Sequence, residues 1–258
     1  MTDNKPMPRK DSYLQSLEKG FAVLDALGLS GGPLTISEIA ERTGQDRASA
    51  RRALLTLAHL GYVRQTNRRF SLAPRTLTLG YRYLASLPFL PLAQRVIEEL
   101  ADELQETVSV GVLDGPDIVF VLRVPVRRFL SFDASVGSHV PAHLHSMGQT
   151  LLAAQPRADW PALLDTLDLR PFTPFSISDR DTLAHRLEAV REQGWAFTNQ
   201  QYEEGYCGVA VPLFDTDGAP IAALNVSFAA GQDAERRAEH DILPRLKLAA
   251  RRILQPRV

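Results

Sequence analysis

The chain has 258 residues, of which 45% are hydrophobic and 23% charged, a composition typical of globular domains rather than of disordered or fibrous chains. Its length favours two domains. No run reaches the roughly 20 apolar residues that a membrane helix needs, and the polar first ten residues lack the apolar core of a signal peptide. Because Cys207 is its single cysteine, we expect the chain to work in a reducing cytoplasm.

The net charge of −1 is the sum of two opposite parts. Residues 1–75 carry 12 basic and 7 acidic side chains, whereas the remainder carries 17 and 23. Neutralisation of phosphates supplies much of the affinity of proteins for DNA. A basic segment joined to an acidic body therefore favours a DNA-binding N-terminal part.

A first helix is predicted over about 13–29. Apolar residues recur there at three- and four-residue steps, the period of a helix that buries one face. Ser12 and Gln15 have the spacing of a capping box, in which each side chain accepts a hydrogen bond from the backbone amide of the other residue. A Gly-Gly-Pro run at 31–33 then ends the helix.

A helix-turn-helix unit follows. Thr35 and Glu38 form a second capping box at the start of a short helix, and Gly44 ends that helix after about two turns. Asp46 caps a third helix that runs to about Leu60. Two helices joined by a tight glycine-containing turn, the second with a cationic face, form the unit that places a recognition helix in the major groove.

The face of the third helix that we expect to meet DNA carries arginines and a serine. Arginine pairs with guanine edges or with phosphates, and serine does either. Two short extended runs after this helix predict a wing, with Arg68 and Arg69 at its tip. The alternatives are a protein-interaction module with a solvated arginine face, and arginines that contact phosphates rather than bases. The candidate DNA-binding residues are Thr35, Arg47, Ser49, Arg51, Arg52, Arg68 and Arg69.

The rest of the chain is predicted as a mixed domain. The apolar period changes to strict alternation at Val108, Val110 and Val112, and an Asp-Gly-Pro-Asp turn at 114–117 returns the chain. The fold class is therefore α+β, with an N-terminal winged helix-turn-helix joined by a linker helix to an α/β sensor domain. Strands are predicted at 108–112, 118–124, 129–132, 196–198, 209–214 and 220–228, and helices at 76–86, 92–104, 146–154, 160–167, 181–193 and 235–254, the last with a bend at Pro244.

Several runs of the sequence have the pattern of one group of bacterial regulators. Gln-Ser-Leu-Glu-Lys-Gly at 15–20 is similar to an opening helix, and Leu-Gly-Tyr-Val at 60–63 is similar to the entry into a wing. These runs resemble the IclR family along essentially the whole chain. Arg-Val-Pro-Val-Arg-Arg at 123–128, Ser-Met-Gly at 146–148 and Leu-Asn-Val-Ser at 224–227 resemble the branch that controls protocatechuate, 4-hydroxybenzoate and β-ketoadipate-pathway genes. The resemblance implies a GAF-like effector-binding domain.

A small-molecule site is expected around one helix start and one strand. Ser146 begins a helix, whose free backbone amides form a natural carboxylate site, so an anionic metabolite would fit. Asn225 and Ser227 lie two residues apart, on one face of an otherwise apolar strand. The alternatives are a solvent-facing or internally hydrogen-bonded pair, and a serine that only caps its helix. The resemblance places effector contacts at Ser146, Met147, Thr198, Gly208, Asn225 and Ser227.

Three places depart from the pattern of that branch. Gln149 stands where its members usually have arginine, and Tyr206-Cys207-Gly208 replaces a stretch that usually reads Leu-Arg-Ser. Thr198 stands where many family members carry aspartate. Two cations that would pair with a carboxylate are thus missing from the motifs, which is compatible with a different effector.

Metal and catalytic sites have less support in the sequence. His139, His143 and His145 lie close together, but carboxylate or thiolate partners are missing nearby, so we expect no metal and no cofactor. Cys207 is interpreted as a buried structural thiol rather than a nucleophile, and the acidic pair at 203–204 as solvated rather than as an acid/base dyad. The sequence contains no glycine-rich phosphate loop.

We therefore expect a transcriptional regulator, not an enzyme, that forms a homodimer, with a tetramer as the alternative. Its expected partners are double-stranded operator DNA, a small aromatic carboxylate and, if it activates, RNA polymerase, whereas no membrane is involved. The competing hypothesis is a ligand-binding protein or enzyme with a GAF-like domain and an accessory basic head. The expected segments are a flexible tail over 1–12, the winged helix-turn-helix domain over 13–73, the linker helix over 74–88 and the effector-binding domain over 89–258.

Overall fold

The computed structural model describes residues 13–126 and 134–254. The described residues form two compact units, and the division falls between Ser86 and Leu87. The expected tail over 1–12, including Ser12 of the first capping box, and the expected strand over 129–132 lie outside the described residues.

The N-terminal unit combines helices with a small antiparallel sheet. Its elements are α1 (Gln15–Gly28), β1 (Leu34–Thr35), α2 (Ile36–Thr43), α3 (Arg47–His59), β2 (Val63–Thr66), β3 (Arg69–Leu72) and α4 (Leu77–Ala85). Val23, Ile39, Leu54 and Phe70 meet in one core, and burying a side chain of this size stabilises the fold by about 1.5–3 kcal/mol. The sheet has the order β1-β3-β2, in which β2 and β3 form the predicted wing.

Two details of this unit differ from the sequence prediction. The prediction of a capping box at the start of α1 is wrong. Gln15 is already the first helical residue, and Leu14 occupies the N-cap position without a side-chain hydrogen bond. The strand β1 was not predicted, since two residues are too few to produce an alternating pattern. It pairs with β3 through Leu34 and Phe70, and so ties the start of α2 to the wing.

The helix α4 confirms the helix predicted over 76–86. It has no buried residue within its unit, and Leu77 and Tyr81 are 73% and 72% exposed. A helix that leaves so much apolar surface in water needs another surface to cover it.

The C-terminal unit is a six-stranded antiparallel sheet with the order β6-β5-β4-β9-β8-β7 and helices on both faces. Its elements are α5 (Leu90–Leu104), β4 (Thr107–Asp114), β5 (Asp117–Val124), β6 (His139–Pro141), α6 (Ser146–Ala154), α7 (Trp160–Thr166), α8 (Arg180–Gln193), β7 (Ala196–Asn199), β8 (Tyr206–Phe214), β9 (Pro220–Ala229), α9 (Ala234–Arg237) and α10 (Leu243–Leu254). The helices α6 and α8 pack on one face of the sheet, and α5 and α10 pack on the other.

The position of α6 is set by a close backbone approach. A Cβ atom on Gly148 would lie 2.0 Å from the carbonyl oxygen of Ala142, in the 3-10 turn Ala142–Leu144 that precedes the helix. Only glycine permits this approach, because any side chain would overlap backbone atoms. The first turn of α6 is thereby pressed against the sheet, with Ser146 and Met147 fully buried.

Three details of the strands and helices in this unit differ from the prediction. The strand β6 was not predicted, and β8 begins at Tyr206 rather than at 209. The bend expected at Pro244 is instead a π-helical turn over Ala238–Ile242, just before the proline. Proline lacks the amide that would continue the helical hydrogen bonds, so the wider turn lies where those bonds are interrupted.

Candidate DNA-binding face and effector cavity

Side-chain caps fix the first turns of α2 and α3, and both confirm the sequence prediction. Thr35 Oγ1 accepts a hydrogen bond from the Glu38 amide at 3.3 Å, and Glu38 Oε2 accepts one from the Thr35 amide at 2.6 Å. Asp46 Oδ1 accepts from the Ser49 amide at 2.8 Å. The hydrogen bonds of Glu38 with Thr35, and of Asp46 with Ser49, lower the pKa values of the two carboxyl groups. Both caps are therefore charged at neutral pH.

The exposed face of α3 carries arginines without the predicted serine. Arg47, Arg51 and Arg52 are exposed, as predicted. Ser49 is only 8% exposed, and its Oγ accepts a hydrogen bond from Arg52 Nη2 at 3.2 Å. It lies one turn before Ala53, on the flank of α3 that faces α1, so placing it on the exposed face was wrong. Its role in this structure is to orient Arg52.

The wing presents Arg68, while Arg69 is held within the domain. The turn between β2 and β3 consists of Asn67 and Arg68, and Asn67 adopts the left-handed φ of 57° that asparagine tolerates. Arg69 donates to the Pro33 carbonyl at 2.9 Å and lies 3.5 Å from a carboxylate oxygen of Glu38. Arg68 is the exposed cation at the tip of the wing.

Five of the six predicted effector residues meet around Gly208. Thr198, Gly208 and Ser227 are paired across β7, β8 and β9, so they share one face of the sheet. A Cβ atom on Gly208 would lie 2.8 Å from Ser146 Oγ and 3.2 Å from Asn225 Nδ2. The absence of a side chain on Gly208 therefore permits polar groups from three elements, α6, β7 and β9, to converge at this point.

Asn225 is the centre of a buried hydrogen-bond network. It has no exposed surface, and its Nδ2 donates to Ser146 Oγ at 2.8 Å and to the Val209 carbonyl at 3.1 Å. Its Oδ1 accepts from Ser227 Oγ at 2.8 Å. The pair is thus internally hydrogen-bonded, the alternative that the sequence left open.

His145, rather than Ser146, caps α6. Its Nδ1 accepts a hydrogen bond from the Met147 amide at 3.2 Å, which assigns the cap to the ring and frees Ser146 for Asn225. Burial, and then the positive charge of Arg123, lowers the pKa of His145 to about 4. The ring is therefore neutral at physiological pH, and one of the amides expected to bind a carboxylate already has a partner.

Met147 does not reach this polar cluster. Its side chain is fully buried in the core between α6 and the sheet, where its sulfur lies 2.9 Å from the position that a Cβ on Gly111 would take. Its side chain therefore acts in packing, and only its amide lies at the start of the helix.

A cavity of about 30 Å³ lies beside the polar cluster. This is the space of roughly one water molecule, far below the roughly 300–1,000 Å³ of most ligand pockets. Among the described residues that line it, none is arginine or lysine. They are Leu144, His145, Thr198, Gln201, Tyr202, Glu203, Tyr206, Cys207, Gly208 and Ser227.

The arginine missing after Ser-Met-Gly has a counterpart on another helix. Arg186 of α8 donates through Nε to Gln149 Oε1 at 3.1 Å and through Nη2 to the Phe197 carbonyl. Gln149 Nε2 in turn donates to Gln201 Oε1 at 2.7 Å, in the segment that covers the cavity. The sequence could not reveal this link, because Gln149 and Arg186 are 37 residues apart.

The histidines do not form a metal site among the described residues, where no group of three possible ligands is found. His139 lies on β6, whereas His143 lies in the 3-10 turn and His145 caps α6. Burial lowers the pKa of His143 to about 4. Cys207 is buried, as the sequence predicts, and burial raises the pKa of its thiol to about 11, which disfavours the nucleophilic thiolate at neutral pH.

None of the helices in the described part of the chain is both long and apolar enough to cross a bilayer. A winged helix-turn-helix with a cationic recognition helix, joined in one chain to an α/β unit with a polar cavity, defines a DNA-binding regulator of transcription. Comparison with known proteins gives the family. Residues 16–67 match the IclR helix-turn-helix domain, and residues 81–255 match the domain described as bacterial transcriptional regulator IclR C-terminal.

The chain belongs to the IclR family and is a regulator rather than an enzyme. It is 38% identical over 240 residues to the Pca regulon regulatory protein of Pseudomonas putida, covering 93% of this chain and 82% of that one. It is 34% identical to the p-hydroxybenzoate hydroxylase transcriptional activator of Acinetobacter baylyi, covering 84% and 82%.

Two solved structures have a similar fold, the first over nearly the whole chain and the second over part of it. A regulator from Rhodococcus sp. RHA1 superposes with a TM-score of 0.81 at 39% identity, over 93% of this chain and 97% of that one. The inducer-binding domain of the transcription factor PobR from Acinetobacter, a double mutant in complex with 3-hydroxybenzoic acid, superposes with a TM-score of 0.60 at 28% identity, over 64% and 97%.

Proposed function

We propose that this regulator controls aromatic catabolic genes in response to a small aromatic carboxylic acid that binds beside Gly208. The observation that carries the proposal is the convergence of Ser146, Thr198 and Asn225 on Gly208, a residue that has no side chain and pairs with Ser227. Buried polar groups that converge on a cavity are the usual mark of a ligand site. The relatives named after the Pca regulon and p-hydroxybenzoate hydroxylase, and the PobR domain with 3-hydroxybenzoic acid, favour an aromatic acid as the ligand.

The proposed DNA contacts are the three arginines of α3 and Arg68 of the wing. These four side chains are exposed on the surface of the N-terminal unit. Each guanidinium group could neutralise a DNA phosphate or pair with a base edge. Thr35 and Ser49 contribute by capping α2 and orienting Arg52 rather than by reaching far into the groove. Arg69 has a smaller part, because Pro33 and Glu38 already hold it.

We propose a homodimer that uses an apolar groove along α1. Leu14, Leu17 and Phe21 are 69%, 58% and 54% exposed, and they line a groove of about 820 Å³ that extends to Leu60 and to Leu79 of α4. A second copy of the chain is the proposed occupant, because a palindromic operator requires two recognition helices about one turn of DNA apart. Burial of the apolar groove between two copies would fix the distance between their recognition helices. A tetramer is the alternative assembly, RNA polymerase is a further partner if the protein activates transcription, and the cytoplasm is the proposed location.

The proposed segments are the DNA-binding domain over 13–73, the linker helix over 74–88 and the effector-binding domain over 89–258, after a tail over 1–12. In this arrangement, an effector changes DNA binding only through a difference in its affinity for the DNA-competent and incompetent states. Movement of the linker helix would alter the spacing of the recognition helices.

A mobility-shift assay with the DNA upstream of the protein's own gene tests the proposal. We expect a sequence-specific shift whose midpoint or mobility changes when 4-hydroxybenzoate or protocatechuate is added. The matched test of the basic face is the salt dependence of Arg51→Ala and Arg52→Ala, in which the slope should fall by about one for each lost phosphate contact. Arg157→Ala, which removes an exposed ion pair with Glu188 in the other unit, is the control.

Two results would count against this function. If no sequence-specific shift is seen, either without ligand or with any of the aromatic acids, the proposal that the protein regulates this operator is refuted. A thermal-shift screen in which no aromatic or aliphatic acid stabilises the protein would remove the carboxylate effector, since a ligand at 100 times its Kd should add about 2.7 kcal/mol.

A further inference from the structure

The carboxylate of the proposed effector needs a cation, and none of the described residues that line the cavity supplies one. Glu203 is the charged side chain among the described lining residues, and the neutral ring of His145 adds no positive charge. A carboxylate moved from water into such a site without a cation would be costly. Among the described residues, the cation would come from behind the wall of the cavity.

The register of the sheet brings Arg123 of β5 to this face. Ala210, Asn225, Ser109 and Arg123 are paired in turn across β8, β9, β4 and β5. Paired residues of antiparallel strands direct their side chains to the same face. Arg123 thus lies in the same row, and on the same face, as the central residue of the polar network.

A bulge places an aromatic ring on that face beside the arginine. The pairing of β4 with β5 shifts between Val110 and Gly111, so Gly111 pairs with Phe120 rather than with Val121. The extra residue lets Phe120 and Arg123, three positions apart, occupy the same face, which regular alternation would forbid. The bulge therefore forms part of the site.

Contacts link this cation to the cavity wall. The Arg123 guanidinium lies 5.5 Å from the centroid of the Phe120 ring, and its Nη1 lies 3.4 Å from Ser109 Oγ. The same Phe120 ring and the His145 ring form a T-shaped contact with 5.7 Å between centroids, and His145 lines the cavity. The imidazole of His145 therefore separates the cavity from the Phe120 ring and from the Arg123 guanidinium beside that ring.

We propose that Arg123 is the residue that binds the carboxylate of the effector, and that the effector enters by displacing the wall formed by His145. The aromatic ring of the ligand would pack against Phe120, and the guanidinium would form charge-assisted hydrogen bonds with the carboxylate. This inference rests on the proposed aromatic acid effector. It also explains how the chain manages without the arginines that related regulators have after Ser-Met-Gly and before Gly208.

Arg186 is the competing cation. It reaches the segment over the cavity only through Gln149, and its own hydrogen bonds go to Gln149 and the Phe197 carbonyl. Arg186 lies at the β7 edge of the sheet, and the side-chain amides of Gln149 and Gln201 stand between it and the cavity. Arg123 is therefore favoured for direct contact with the carboxylate.

Isothermal titration of the full-length protein with 4-hydroxybenzoate and with its neutral analogue 4-hydroxybenzamide tests the assignment. We expect the wild-type protein to prefer the acid by about 10- to 100-fold, the gain from a hydrogen bond to a charged partner. Arg123→Gln should lose this preference and bind the two ligands alike, whereas Arg123→Lys should keep it with weaker affinity. Arg186→Gln and the exposed control Arg157→Gln should retain the wild-type preference.

The outcomes separate this inference from the proposed function. If the wild-type protein binds the acid and Arg123→Gln keeps the full preference, the assignment is overturned while the aromatic acid effector stands. Loss of the preference in Arg186→Gln alone moves the role to that residue. If the wild-type protein binds neither ligand nor any acid of the thermal-shift panel, the proposed effector fails, and this inference fails with it. An unchanged operator affinity and melting temperature of Arg123→Lys would show that the variant is folded.

Discussion

The most informative single substitution in the effector-binding unit is Asn225→Ala. It removes a side chain with no exposed surface and breaks its hydrogen bonds with Ser146, Val209 and Ser227. At about 1 kcal/mol for each bond, the loss is about 3 kcal/mol. For a chain of this size, about 2–4 °C per kcal/mol converts this loss to a melting temperature lower by about 6–12 °C.

Differential scanning calorimetry of the full-length protein measures this loss directly. Ser227→Ala, which removes one of the bonds, should cost about a third as much. The exposed Asn199 on neighbouring β7 provides the matched control, and Asn199→Ala should change stability by less than about 0.5 kcal/mol. If Asn225→Ala is no more destabilising than Ser227→Ala, the network does not hold the sheet to α6, and the reasoning from its geometry is refuted.

Three further predictions follow from local contacts. Gly148→Ala should destabilise the unit by more than about 3 kcal/mol in a denaturant titration, because its Cβ overlaps the Ala142 backbone, and a smaller loss would mean that α6 moves freely. The carboxylate cap of Asp46 has a lowered pKa, so its stabilisation is complete above the usual pKa of about 3.9 and is lost as the pH falls through the lower folded value. The stability difference between wild-type protein and Asp46→Ala should therefore shrink between pH 6 and pH 3, and a constant difference would contradict the cap. Cys207, with a pKa of about 11, should react with iodoacetamide at pH 8 far more slowly when folded than when unfolded in urea, and equal rates would disprove its burial.

The helix-turn-helix could be predicted because its signals are local. Thr35 with Glu38, and Asp46 with the amide of Ser49, are neighbours in sequence, so their spacing alone indicated where α2 and α3 begin. Ser49 was misplaced by the same local reasoning. Its place among arginines predicts that Ser49 shares their exposed face, whereas the structure buries it to 8% exposure.

The effector site could be predicted as a set of positions but not as a geometry. The family resemblance indicated Ser146 and Asn225, yet their hydrogen bond joins residues 79 positions apart, and no periodicity reports such a contact. The link from Arg186 to Gln149 depends in the same way on the packing of α8 against α6. The sequence also could not reveal the bulge opposite Gly111, because β5 is continuously apolar from Ile118 to Leu122 and has no alternation that an extra residue would interrupt.

The small cavity has a consequence for the timing of the response. Its cover is held by the hydrogen bond between Gln149 and Gln201 and by two bonds of 2.6 Å, from Thr173 to the Gln200 carbonyl and from Ser176 to the Gln201 carbonyl. If these bonds must open before a ligand enters, the observed association rate levels off at high ligand concentration, at the rate of opening. The same bonds then set the residence time of the ligand, and with it the delay between exhaustion of the effector and the change in transcription.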